Sequence, residues 1–425
     1  MPQAVLETYK AAREPIPRAT LVWQLSGKGF ENFRLAEVPV PEMGPRDILF
    51  RSDSNGICFS DVKVIQAGGD HPRLRGYDLA RDKVVPGHEV SITVVKAGPE
   101  TARPFRIGER YIVQADMLKY NTAVGYGVRG GMVQYGVFDE RVQEYLIRVE
   151  RDIGYSQASL VEPWACVEAS YDRADLKPGD DVVWVLGGGG PMGQMHILRT
   201  LSAKQFGRAP SVRTVIVTDV SDERLAAARA RLEEKTAGLG VRLETLNPLA
   251  PDFSARMQQA APGGVAYLVA CAPSAEVVKS AMPYLRRYGV LNVFAGIPRG
   301  TGPIFLGDLH YDQITITGNS GSRLEDMEKV LRLTERGELD TDFSAGAVVG
   351  MKACAEGVRA VAEGRITNKT ILYPQLEDLP LTRVEDLPEA IPFSDGVAAE
   401  LRRGRWSQRA EAEMLEALLP RRERR

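Results

Sequence analysis

VVWVLGGGGPMGQMH (residues 182–196) is the stretch on which the fold turns. Val182–Leu186 is a short, wholly apolar run of the kind found in strands buried on both faces. Four glycines follow, and Pro191 then opens a helical run, a position where its missing N–H has no consequence. Gly188, Gly190 and Gly193 fit G-x-G-x-x-G, with Pro191 and Met192 in the first turn of the helix. Glycines there permit a tight turn and close approach of the backbone to a pyrophosphate, whose charge the helix N-terminus favours. A second strand, TVIVTD (214–219), closes on Asp219, an acid that would hydrogen-bond the ribose hydroxyls of NAD and repel the extra phosphate of NADP. The gap from Gly188 to Asp219 exceeds the usual ~20 residues, and an insertion, GRAPSVR (207–213), accounts for the excess. Arg224, five residues further on, offers a cation to an adenosine phosphate, so NADP stays open.

Around this motif, strands and helices alternate. DERLAAARARLEEK reads as helix, VAYLVACA as strand, AEVVKSAMPYLRR as helix, and YGVLNVFAG and ITITGN as strands. Such alternation predicts a parallel sheet covered on both faces. From about Ala19 to Val149 the pattern differs: ATLVWQL, FRLAEVPV, DILFRSDSNG, VSITVVKAG and GERYIVQA are β-rich runs broken by Gly and Pro. They predict an antiparallel β domain. RLEDMEKVLRLTERG is a further helix, and RAEAEMLEALLPRRERR an amphipathic one ending in a basic run.

Composition narrows the function classes. Fifty-four Lys and Arg against 56 Asp and Glu leave a net charge of −2, without the basic excess of a nucleic-acid-binding chain. No apolar run approaches the ~20 residues of a membrane span, and the opening MPQAVLETYKAAREPIPRAT has no apolar signal core. The four cysteines (58, 166, 271 and 354) are scattered, with no C-x-x-C pair to form a disulfide framework or zinc ribbon. A cytoplasmic setting is therefore expected, and any metal site must be assembled from distant positions.

Three segments supply donors for one. NGICFSDVK (55–63) carries Cys58, Ser60 and Asp61, and VVPGHEV (84–90) carries His88 and Glu89. SLVEPWACVEASY (159–171) adds Glu162 just before the nucleotide-binding stretch. A lone cysteine is most often a small buried hydrophobe. Together, thiolate, imidazole and carboxylate suit a tetrahedral zinc site with one position left for water or substrate.

GICFSDVK, PGHEV, VEPWAC and VLGGGGPMG, in this order and at these intervals, resemble the zinc-dependent medium-chain dehydrogenases, from about Thr20 to Tyr373. VEP in place of a cysteine is similar to the sorbitol dehydrogenase branch. Phe59, the long stretch AGGDHPRLRGYDLARDKVVPGHE and the segment YNTAVGYGVRGGMVQY resemble, more narrowly, the L-sorbose-1-phosphate reductase group. The resemblance implies an α/β fold: a GroES-like β-rich catalytic domain plus a Rossmann doubly wound parallel sheet. The expected boundaries are 1–165 for the first part of the catalytic domain, 166–322 for the NAD(P)-binding domain, and 323–425 for the return to the catalytic domain with a helical tail. It implies Cys58, His88 and Glu162 as zinc ligands, with Glu89 a fourth, either direct or exchanging with water. Ser60 would bond the substrate hydroxyl and pass its proton toward solvent, and Asp61 would orient His88 through its other ring nitrogen. Lys369, in GRITNKTILYP, matches a basic residue used against the cofactor pyrophosphate.

The implied reaction is hydride transfer between NAD(P), with NAD preferred, and a secondary alcohol of a polyol or sugar phosphate. Unphosphorylated polyols or other secondary alcohols are the main alternative, and a nucleotide-binding redox sensor without turnover is a further one. Two departures stand out. QADMLKYNTAVGYGVRGG (114–131) lacks the clustered cysteines that hold a structural zinc in many relatives, so one catalytic ion per subunit is expected. Lys63 stands where the family often has a relay histidine; it would relay a proton, pair with a phosphate, or simply be solvated. Arg73, Arg75, Lys119 and Arg129 form a basic supply for a sugar phosphate, Arg being suited to bidentate phosphate recognition. A homodimer or homotetramer is expected, joined at the sheet edge near VLNVFAG and ITITGN, which would cover an open strand.

Overall fold

A computed structural model describes residues 5–302 and 306–420, so the terminal basic run lies outside the described residues. The chain divides into two compact units, Met1–Glu162 with Arg323–Arg425, and Pro163–Ser322.

The second unit is built around Val182–Leu186, buried at every position. Six parallel strands lie in the spatial order Arg242–Leu246, Thr214–Thr218, Val182–Leu186, Val265–Ala270, Leu285–Val293, Thr315–Gly318. The chain thus runs outward in one direction from Val182–Leu186 and then outward in the other, the doubly wound arrangement expected. The order reverses beside the C-terminal end of Val182–Leu186, where such sheets place their ligands. The helix Pro191–Gln205 packs over this strand, with Gly190 as N-cap and a nearly continuous buried face from Gly193 to Ala203. The next helix, Asp222–Gly238, begins where the Ser221 hydroxyl accepts the Arg224 N–H, and Asp222 and Glu223 sit in its positive first turn. Arg242–Leu246 is an edge strand of mixed polarity, which is why alternation alone did not reveal it.

The first unit contains an eight-stranded sheet whose central strand, Ile48–Ile57, is buried along its whole length. Its polar middle is tolerated because the charges are paired: Arg51 meets Asp53 at 2.8 Å and Glu14 at 3.1 Å, and its guanidinium lies over the Tyr9 ring. Ile48–Ile57 pairs antiparallel with Glu89–Ala97, with Tyr135–Phe138 and with Lys369–Tyr373. The last of these belongs to the returning chain, as does Ala345–Gly350, parallel to it. Helix Gln408–Leu418 completes the unit: Glu411 accepts the Tyr155 and Ser156 N–H groups at 2.6 and 2.7 Å and so caps the helix Tyr155–Ser159.

Candidate metal centre and nucleotide loop

Strand pairing brings the metal donors together. Gly56 lies opposite Glu89, and Ile57 opposite Thr370. Antiparallel pairing therefore sets the C-terminal end of Ile48–Ile57 beside the N-terminal ends of two strands, one beginning at Glu89 and the other at Lys369. Cys58 follows the first of these ends and His88 precedes the second. Gly56 has no side chain for a reason: a Cβ there would collide with Glu89 Oε2.

Donor atoms of Cys58, His88 and Glu89 all lie within 4.8 Å of one another. Zinc bonds of about 2.0–2.3 Å place neighbouring ligands within such a span, and the mixed sulfur, nitrogen and oxygen set suits that ion. Glu89 is fully buried, and its Oε2 has no hydrogen-bond partner among the described residues while Oε1 accepts from Lys369 Nζ at 2.5 Å. An orphaned carboxylate oxygen beside a thiol and an imidazole is what an absent cation leaves behind. The donor set fits zinc.

Asp61 organises the other side of the group. It is the third residue of helix Phe59–Ala67; its Oδ2 accepts the Cys58 N–H at 2.9 Å, and its Oδ1 accepts the Gly87 N–H at 3.1 Å. The same Oδ1 stands 3.4 Å from His88 Nδ1, an ionic approach without hydrogen-bond alignment. Burial disfavours charge on His88, but Asp61 and Cys58 outweigh it and hold the imidazole well above its usual range. Cys58 Sγ lies 3.5 Å from Ser60 Oγ.

Glu162 opens the helix Val161–Ala169 and is partly exposed. Its carboxyl is pushed up to about 7, first by burial and then by the charge of Glu89, against the pull of His88 and Lys369. It therefore senses the same cluster, although it is not among the three donors that lie within 4.8 Å of one another. Lys63 is exposed, its amine 5.7 Å from the Phe59 ring centroid. Lys369 is buried, and the structure gives it a partner, Glu89, that sequence reasoning did not anticipate.

The same unit holds residues that sequence reasoning missed. Tyr126 is buried, its ring centroid 6.2 Å from that of His88 and 5.4 Å from that of His71. Arg73 lies 4.9 Å from the Tyr126 centroid and contacts Asp116. No local pattern marks Tyr126 or Asp116; only their segment, YNTAVGYGVRGGMVQY with its preceding residues, had been singled out. In the nucleotide-binding unit His196 is a packing residue, its ring bonded to the Tyr171 hydroxyl at 3.0 Å and its pKa pushed down to about 3 by burial.

In the other unit, Gly187 turns the chain with φ of +75°. A Cβ at Gly193 would stand 2.5 Å from Gly188 Cα, so glycine is required where helix and loop touch. Asp219 is 8% exposed and lies beside the loop: a Cβ at Gly189 would be 2.8 Å from both its Oδ2 and Arg224 Cβ. Gly188, Gly190, Pro191, Met192, Asp219 and Arg224 thus gather at one end of the parallel sheet, with the loop N–H groups at the start of a fifteen-residue helix.

Comparison with known proteins agrees with both halves. Residues 44–150 match the alcohol dehydrogenase GroES-like domain, and residues 201–336 match the zinc-binding dehydrogenase domain. The chain is 27% identical to L-sorbose 1-phosphate reductase of Klebsiella pneumoniae, covering 94% of this chain and 98% of that protein. It is 26% identical to mannitol-1-phosphate 5-dehydrogenase of Aliivibrio fischeri, covering 91% and 96%. Among solved structures, 2R,3R-butanediol dehydrogenase of Bacillus subtilis superposes with a TM-score of 0.67 at 20% identity, over 84% of this chain and 99% of that one. No helix among the described residues is long and apolar enough to cross a membrane.

Proposed function

The chain belongs to the zinc-binding medium-chain dehydrogenases, with a GroES-like domain and a Rossmann sheet, and from that premise we propose its reaction and its site. It is an alcohol or polyol oxidoreductase that interconverts a secondary alcohol of a polyol or sugar phosphate with the ketone, using NAD in preference to NADP and one zinc ion. The observation that carries this reading is the convergence of one thiol, one imidazole and one buried carboxylate with an unpartnered oxygen.

Cys58, His88 and Glu162 would hold the ion, with Glu89 the fourth, exchangeable donor. Zinc there would supply the Lewis acidity that favours loss of a hydroxyl proton, and the nicotinamide would supply the hydride acceptor. Ser60 accepts that proton and hands it toward solvent, with exposed Lys63 next along the helix. Asp61 faces Nδ1 of His88 and so reserves Nε2 for the ion. Lys369 balances the Glu89 charge and has further N–H donors for a cofactor pyrophosphate. The N–H groups that follow Gly188, whose own N–H goes to the Thr218 carbonyl, receive the cofactor phosphates at the head of the helix, and Asp219 receives the ribose hydroxyls. The edge strand Thr315–Gly318, with Ile316 exposed, supports pairing of subunits into a dimer or tetramer. Four free cysteines support a reducing, cytoplasmic setting.

Metal analysis with a ligand variant tests the reading. About one zinc per chain is expected in the purified protein, lost in Cys58→Ser together with turnover while NADH binding persists. A protein without stoichiometric zinc would sink the mechanism. Turnover preserved in Cys58→Ser would sink the ligand assignment.

A further inference from the structure

We propose that Arg73, braced by Tyr126 and Asp116, recognises a phosphomonoester on the substrate, making phosphorylated polyols and ketoses the substrate class; this rests on the dehydrogenase reading of the metal centre. Four basic residues were candidates from sequence for that task, and the structure separates them. Lys119 is tied to both oxygens of Glu144 at 2.9 Å on the surface. Arg129 is partly buried, its Nη1 enclosed without a partner among the described residues, and its Cδ lies against Gly136. Arg75 is exposed beyond the short helix Pro72–Leu74. Arg73 alone of the four stacks on a ring that also faces the metal-ligand candidate His88.

Its reach fits a sugar chain. The two ring distances, 4.9 and 6.2 Å, hold the guanidinium to within about 11 Å of the His88 imidazole. An extended chain advances ~1.2 Å per bond, so a glucitol 6-phosphate hydroxyl four bonds (at C5) to seven bonds (at C2) from phosphorus, about 5–8 Å away, falls inside that limit.

The donors also fit. Among the guanidinium nitrogens, Nη1 contacts Asp116, while Nε and Nη2 have no acceptor among the described residues and remain for a ligand. Tyr126 fixes the plane of the fork by cation–π contact, which preserves bidentate geometry for a phosphate. The Asp116 pair is half-exposed on the Arg73 side, so it contributes little to stability and holds the arginine without saturating it.

Charge gives the remaining reason. The donor group already carries the Glu89 carboxylate, Glu162 feels the charges of both Glu89 and Asp116, and Lys369 is committed to Glu89. A phosphate dianion approaching those carboxylates needs a cation on its own side. Arg73 sits directly beside His71, whose Nδ1 accepts the Arg73 N–H at 3.3 Å, and burial followed by the charges of Arg73 and Lys63 holds that imidazole below its usual range.

The test compares zinc-loaded wild type with Arg73→Met and Arg73→Lys on glucitol 6-phosphate and on glucitol, both with NAD. The ratio of kcat/KM for the phosphorylated over the free polyol is expected to fall 10- to 100-fold in Arg73→Met, mainly through KM, and to recover partly in Arg73→Lys. An unchanged ratio, including an equal loss on both substrates, would overturn the proposal. Calorimetric binding of glucitol 6-phosphate supplies an arm without turnover: weaker binding to Arg73→Met supports the assignment and equal binding overturns it. A wild type that turns over neither polyol would instead overturn the dehydrogenase reading, and the binding arm would still decide the role of Arg73.

Discussion

Replacing Lys369 by Met leaves the Glu89 carboxylate alone in the interior, and the consequence can be worked from the structure. The pair is 2.5 Å apart, with the lysine 5% and the glutamate 0% exposed. Removing one partner of such a pair costs about 3–5 kcal/mol, because the other charge stays buried without compensation. There is a ceiling, since the carboxyl can escape by taking up a proton. Neutralising an ordinary carboxyl at pH 7 costs ~1.4 kcal/mol per pH unit above ~4.3, or about 4 kcal/mol, and only about 1 kcal/mol at pH 5. Burial opposes the charge on Lys369, but Glu89 and Cys58 outweigh it and hold the amine above its ordinary range. A raised lysine contributes fully below its unfolded value and loses that contribution only as pH rises above it, so the wild-type pair is intact throughout neutral pH. The expected destabilisation of Lys369→Met is therefore about 1 kcal/mol at pH 5 and 3–4 kcal/mol at pH 7. Urea unfolding of chelated protein at both pH values measures it, with Glu89→Gln and the double variant completing the cycle. The double variant should regain most of the pH-dependent loss. A loss that is the same at both pH values, or that simply adds to that of Glu89→Gln, would refute the pairing argument.

Two further outcomes follow from the site. The Glu162 carboxyl, pushed up to about 7 by burial and Glu89, binds a proton more tightly folded than unfolded; its stabilisation is present below about pH 4.5 and lost as pH rises through 7. Metal-free protein should lose on the order of 3 kcal/mol across that window, and Glu162→Gln should flatten the slope; parallel stability profiles for the two proteins would contradict it. Asp219→Gly removes the acid beside the glycine loop and should lower the NAD-over-NADP ratio of kcat/KM about tenfold or more. Steady-state kinetics with both cofactors checks this, an unchanged ratio meaning that Asp219 does not contact the ribose.

Periodicity reached far into the fold. Val182–Leu186, Thr214–Thr218 and Val265–Ala270 were legible as short apolar runs, because strands buried on both faces leave little room for polar residues. The edge strand Arg242–Leu246 alternates with polar residues and carries no such mark. Ala345–Gly350 and Lys369–Tyr373 were also missed: the first is small and apolar and the second mixes Lys and Thr with apolar residues, and both join a sheet begun three hundred residues earlier. The donors Cys58, His88 and Glu89 were legible because each sits in a short motif with a recognisable neighbour.

By itself, then, the sequence determined the two kinds of sheet, the glycine turn at the head of a helix, and the set of atoms available to a metal. These are local properties: apolar spacing, backbone freedom and side-chain chemistry act over a few residues. Only the tertiary structure decided the partners. Lys369 meets Glu89 across 280 positions because both begin strands that flank Ile48–Ile57. Arg73 meets Tyr126 and Asp116 because separate loops of the same unit converge on one rim. Pairing register and loop closure bring together residues whose separation along the chain leaves no periodic trace, and those encounters settle which charge is balanced and which arginine is braced against a ring.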